Sequence, residues 1–437
     1  MKNISISLLM FFLSNSYMQA QEMDNSVVIK TDIDHFWMAY DKVRSETDSL
    51  QRIKDINDLY INKGTDGLKN LMIVRGYKDY EFVNAILNYP KYWNSIRQNM
   101  QNAQKEQDSI NFYIQKLKEI YPELKPANIY FSVGAFRSSG TYSIDKNSVL
   151  LGSEFIFAKQ NSVLDELPDR VRNGIKEYAP YDIPLTAVHE YIHTQQKNWE
   201  DFGIIEKCVA EGVAEFVSLL VTGKKLTPAV RFGKENSEIV LKKYMEEIFK
   251  YNTDNNWLWG TNKNELKVND LGYYIGYEIS ERYYLRAKDK KQAIKDLIEL
   301  DYNDEVEFAK MLDGIGFFPM SVAEISQKYE SLRPTVKRIL EFKNGSQKVN
   351  PNLKLITIEF SDVMSDCCRS FDNVNINVQP IKIKKVIGWS QDKKRFSFEI
   401  EDLKPNTKYE LIISNFAKEE DGNRLAPYII EFKTSNK

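Results

Sequence analysis

The chain has 437 residues, enough for two or three domains of about 150 residues, and 42% of them are hydrophobic. Sixty Lys and Arg against 62 Asp and Glu leave a net charge of −2, without the basic surplus that nucleic-acid binding needs. Three cysteines, two of them adjacent at Cys367 and Cys368, exclude a disulfide scaffold and a cysteine-ligated zinc module.

At the N-terminus, Lys2 precedes an apolar stretch over residues 4–13 and a polar run ending at Ala20. This order reads as a signal peptide over 1–20, with the mature chain starting near Gln21 and exported to the periplasm or beyond the cell. The apolar stretch is too short to span a membrane, which takes about 20 residues, so no transmembrane segment is expected. From about residue 26 to 125 the apolar spacing is helical. Two β-rich stretches follow, 129–133 and 148–152, separated by the turn-forming cluster Ser138-Ser139-Gly140-Thr141.

Further helical pattern runs to about residue 342. Residues 343–352 are polar and rich in turn formers, which predicts a linker. Beyond it, short strands are expected at 353–360, 374–378, 381–389, 395–400, 408–414 and 428–433. Their even spacing predicts a β-sandwich over 353–437. Tyr409 enters a strand after Leu403-x-Pro405-x-Thr407, a place from which its hydroxyl can bond back across the corner.

The chemistry concentrates in Thr186-Ala187-Val188-His189-Glu190-Tyr191-Ile192-His193. Positions i and i+4 of a helix point the same way, so His189 and His193 aim two imidazoles at one point, as Zn²⁺ requires. Glu190 lies about 100° around the helix and serves better as the base that takes a proton from water. Asp182 and Pro184 supply a cap and first turn for this helix.

A catalytic zinc takes three protein ligands, and no third histidine follows, so the third must be an acid. Residues 209–220 place Val209, Val213, Phe216, Val217 and Leu220 on one helical face and Glu211, Glu215 and Ser218 on the other. Two buried acids on one face call for a cation. Glu211 is the candidate ligand, and Glu215, one turn on, could accept a hydrogen bond from a histidine's far nitrogen. A helix with its acids in water would show the same spacing.

H-E-x-x-H followed by Glu211-Gly212-Val213-Ala214-Glu215 resembles the gluzincin metallopeptidases, which implies that the glutamate before the glycine is the third ligand. Over about residues 30–340 the chain is similar to a family of predicted exported zinc-dependent proteases, and its tail resembles bacterial Ig-like modules. The resemblance implies an α+β fold: a mostly helical zincin-like catalytic domain over 21–342 with a small β-sheet, then an Ig-like β-sandwich. It implies a peptide or protein substrate, Zn²⁺ as cofactor, and a sandwich able to bind a surface partner. Tyr273, at the start of a helix capped by Asn269 or Asp270, is the first candidate donor to the oxyanion, although Tyr273, Tyr277 and Tyr284 share one face and would also read as an aromatic packing stripe. Glu154, at a strand end, is the expected contact for a substrate's amino terminus. A second reading is a non-catalytic surface component on a zincin scaffold.

Overall fold

The computed structural model describes residues 28–199, 202–250, 253–260, 262–372 and 378–436. The expected signal peptide and most of the expected strand at 374–378 lie outside these residues. Helix Thr31–Ser45 buries Ile33, Phe36, Trp37, Tyr40 and Val43, a stripe at helical spacing. Its buried Asp32 accepts hydrogen bonds from the Thr65 amide (2.9 Å) and the hydroxyls of Thr65 and Ser132 (both 2.7 Å). Three donors around one carboxylate offset the cost of burying it and tie distant segments together.

The first of the chain's two units also holds a small sheet. β1 (Val28–Ile29), β2 (Asn128–Ser132), β3 (Gly140–Tyr142) and β4 (Ser148–Gly152) lie in the order β1-β2-β4-β3. β1, β2 and β4 are parallel, and β3 runs antiparallel to β4 at the edge. The cluster expected to form only a turn therefore supplies an edge strand, because Gly140 and Thr141 pair with Leu151 and Leu150. All five residues of β4 are buried, as a strand covered on both faces should be.

The histidine helix, Ile183–Gln195, packs on β3 and β4. Asp182 caps it by accepting the Leu185 amide at 3.1 Å, and Pro184 sits in the first turn, where a missing N–H costs nothing. Its far side is pinned where the chain enters β2. The Tyr191 hydroxyl accepts the Ala127 amide (2.8 Å) and donates to the Lys125 carbonyl (3.1 Å), while Gln195 accepts the Lys125 amide (2.8 Å).

The chain divides into two units. One holds the residues to Gln196 with Ala214–Lys225 and Asp289–Glu299; the other holds Lys197–Val213, Leu226–Lys288 and Leu300–Lys437. The glutamate helix, Ile204–Thr222, runs unbroken through the residues where the division falls. In the second unit it crosses the tyrosine helix, Leu271–Arg286, backbone against backbone. A methyl group on Gly212 would lie 2.0 Å from the Gly276 carbonyl carbon, and one on Gly276 would lie 1.7 Å from the Cys208 carbonyl oxygen. Only glycine fits either position. Cys208 is buried.

Strands dominate the C-terminal region. β5 (Val336–Ile339), β6 (Leu355–Phe360), β7 (Ser370–Asp372), β8 (Gln379–Pro380), β9 (Ile383–Trp389), β10 (Arg395–Ile400), β11 (Lys408–Ser414) and β12 (Tyr428–Lys433) make two sheets. Their orders are β5-β6-β10-β9 and β12-β11-β7, with β8 against β11. Alternation with period two puts Ile356, Ile358, Phe360, Phe396, Phe398, Ile400, Leu411, Ile413, Ile430 and Phe432 in one core. The Tyr409 hydroxyl accepts the Lys404 amide at 2.7 Å, closing the corner its sequence position predicts. The chain is thus α+β, a helical region with a small sheet followed by a strand-rich one.

The stretch expected as a linker lies within these strands. β5 precedes it and pairs with β6, the Gly345 amide bonds the Glu431 carbonyl (2.8 Å), and Val349 is buried in the core. Its turn formers make a connection inside the sandwich, because polar backbone there finds partners on β12.

Candidate metal centre

On the histidine helix, Nε2 of His193 lies 3.1 Å from Nε2 of His189. The opposite ring nitrogens are engaged elsewhere. Nδ1 of His193 is 2.7 Å from Oε1 of Gln196, and Nδ1 of His189 is 3.4 Å from Oε2 of Glu215. Acceptors at both Nδ1 atoms favour the tautomer with the proton there, which leaves both Nε2 lone pairs directed toward one point. Two lone pairs this close repel each other unless a cation lies between them. Tyr142 of β3 flanks the pair, its ring centroid 5.5 Å from that of His193.

The carboxylate of Glu211 joins this point. Among the described residues, His189, His193 and Glu211 offer ligand atoms that all lie within 4.8 Å of one another. Tetrahedral zinc with ligand bonds of about 2.0–2.1 Å holds neighbouring ligand atoms about 3.4 Å apart, so this donor set fits the ion with small adjustment. Glu211 is 4% exposed, and its Oε1 accepts the indole N–H of Trp259 at 2.9 Å. Glu215, 5% exposed, sits one turn further along the same helix, against His189.

Glu190 is half-buried and reaches toward the edge strand. A methyl group on Gly140 would lie 2.5 Å from its Oε1 and 2.9 Å from its Cδ, so the carboxylate rests directly against the bare Cα of that glycine.

Residues 172–306 match the family described as Predicted Zn-dependent protease. The match takes in His189, Glu190, His193, Glu211, Glu215 and Tyr273, and is shorter than the stretch over which the sequence resemblance was drawn. Residues 331–434 match the family described as Bacterial Ig-like domain, which agrees with β5 as its first strand. No curated protein matches the chain. No helix among the described residues is long and apolar enough to cross a membrane.

One expected site residue stands differently in the structure. Glu154 has no exposed surface: the amides of Gly134 (2.8 Å) and Phe136 (3.2 Å) donate to its two oxygens. Burial pushes its carboxyl up to about 7, against the pull of those amides. A carboxylate enclosed in this way holds a turn and is not placed to meet a substrate's amine. Tyr273 is half-buried in the first turn of the tyrosine helix, its amide bonded to the Asp270 carbonyl at 2.9 Å. Asp270 takes a left-handed conformation (φ 59°) without capping the helix, and its carboxylate accepts the Trp259 amide instead (3.0 Å). Asn269 accepts the Asn262 amide at 2.9 Å.

Sequence reasoning missed three residues at this site. Gln196 follows His193 at i+3 on the end of the helix, a spacing that could have marked it as a partner. Gly140 was read only as a turn former. Nothing in the sequence ties Trp259 to Glu211, 48 positions away.

Proposed function

We propose that the protein is an exported zinc-dependent peptidase that hydrolyses peptide bonds. The observation carrying this reading is the convergence of the His189, His193 and Glu211 donor atoms, with Glu190 between the two histidines on their helix. Zn²⁺ bound there would supply a Lewis acid that polarises a carbonyl and makes a neighbouring water more acidic. Glu190 accepts a proton from that water and passes it to the departing amine. Glu215 and Gln196 hold the two imidazoles in the required tautomer. Tyr273 is the proposed donor to the oxyanion, supported by its half-exposed place within the protease-family match. Export rests on the reading of residues 1–20, and the sandwich is proposed to bind a partner at the surface.

The test is metal content and peptide-library digestion of the purified protein beside Glu190→Gln. The unmutated protein should hold one zinc and cleave peptides, while the variant keeps its zinc and cleaves none. Zinc-loaded protein that cleaves nothing would favour a surface component; protein without zinc, or a fully active variant, would refute the reading.

A further inference from the structure

The indole N–H of Trp259 donates to the Glu211 carboxylate, at 2.9 Å from Oε1. An indole N–H is a donor only, so this contact has a single polarity: it cannot flip to present a lone pair, as an amide could. A neutral indole also neutralises none of the carboxylate's charge. The donor therefore arrests rotation of the carboxylate while keeping it a ligand.

The backbone around Trp259 is arranged to hold that geometry. Trp259 has φ 52°, a left-handed conformation that a bulky residue adopts only when its surroundings impose it. Those surroundings are visible on both sides. Asp270 accepts the Trp259 amide at 3.0 Å, and Gly260 lies so near the helical turn Asp254–Trp257 that a methyl there would be 2.3 Å from the Asn255 carbonyl oxygen. Just before, Trp257 and Leu258 are fully buried, with the Trp257 indole donating to Glu247 at 3.0 Å. Trp199 packs against the Trp259 ring with centroids 6.0 Å apart. Yet Trp259 itself is 44% exposed, so burial of its own ring is not what the strained backbone serves.

We propose that Trp259 is a positioning residue for Glu211: the strained turn aims its indole N–H so that the carboxylate is set before an ion arrives. This inference rests on the reading of His189, His193 and Glu211 as a zinc site. Preorganisation of this kind lowers the ordering cost of binding, and loss of an outer hydrogen bond to a ligand typically costs about 10–100-fold in metal affinity or activity.

The experiment is a Zn²⁺ titration of the full chain against a chromophoric chelator, with unmutated protein, Trp259→Phe and Trp389→Phe. Trp259→Phe keeps an aromatic ring and removes the donor, and zinc should bind it about 10–100-fold more weakly. Trp389→Phe, in the sandwich, should bind as the unmutated chain does. Zinc should change the tryptophan emission of the unmutated chain and of Trp389→Phe, and that change should be lost in Trp259→Phe. Equal zinc affinity in Trp259→Phe and the unmutated chain would overturn the inference and leave the proposed function standing. No zinc binding by the unmutated chain would overturn both. Should Trp259→Phe fail to fold, Asp270→Ala tests the same device by removing the acceptor that clamps the turn. Its zinc affinity should also fall, and an unchanged value would overturn the inference.

Discussion

Gly140→Ala offers a probe of Glu190 that leaves Glu190 itself in place. The added methyl would lie 2.5 Å from Oε1, 2.8 Å from Cγ and 2.9 Å from Cδ of Glu190. Carbon contacts settle at about 3.5–4.0 Å, so the carboxylate must retreat by about 1 Å. All three crowded atoms belong to one flexible side chain, and Gly140 is not among the residues of positive φ. The strand can therefore accept alanine, and Glu190 absorbs the displacement. A misplacement of about 1 Å costs a catalytic group about 10²-fold, equivalent to about 2.7 kcal/mol of barrier. The expected result is kcat/KM lowered about 100-fold with zinc content and melting temperature nearly unchanged. Combining it with Glu190→Asp withdraws the carboxylate by one methylene, and should make the alanine's further effect much smaller than in the Glu190 background. The assay is peptide hydrolysis beside metal analysis and thermal melting. Full activity of Gly140→Ala would refute the placement of Glu190 against β3, and loss of zinc would refute the separation of base from ligands.

The remaining expectations concern stability. Because burial raises the Glu154 carboxyl to about 7, the folded chain keeps a proton there that the unfolded chain releases above its ordinary value of 4.5. The stability this group contributes is then full below about pH 4.5 and is lost as pH rises toward 7, by at most about 3 kcal/mol. Denaturant titrations at pH 5 and pH 8 should show Glu154→Gln gaining on the unmutated chain at the higher pH; a difference independent of pH would refute the assignment. Separately, residues 331–437 expressed alone should fold as a cooperative β-protein without metal, while 353–437, lacking β5 and the buried Val349, should melt far lower. Equal melting of the two pieces by circular dichroism would show that β5 contributes nothing to the sandwich.

Local pattern revealed what depends on local spacing. The histidine pair, its Asp182 cap and the acid face of the glutamate helix follow from 3.6-residue periodicity. Much of the sandwich follows from alternation, down to the Tyr409 corner. What escaped depends on contacts far apart in the chain. Ser138 to Thr141 have turn composition, and only pairing with β4 makes an edge strand of Gly140 and Thr141. The polar stretch at 343–352 reads as a linker until β12 supplies partners for its backbone. Glu154 looks available at a strand end, and is enclosed because the Gly134–Phe136 turn folds over it. The indole on Glu211 comes from a turn whose left-handed residue is tryptophan, where composition predicts glycine or asparagine.

The glycine crossing of the glutamate and tyrosine helices acts as a fulcrum. With backbone touching backbone at Gly212 and Gly276, no side chain at that point can change rotamer and let the helices slide. What remains is rocking about the contact, and the displacement it produces grows with distance along the lever. Glu211 is the next residue, about 1.5 Å along the axis, so a tilt of about 5° moves it by only about 0.1 Å. Ten residues away, about 15 Å along, the same tilt moves the helix by about 1.3 Å. Glu211 thus lies beside the stillest place on its helix, and a tilt that displaces the helix ends leaves its backbone nearly stationary.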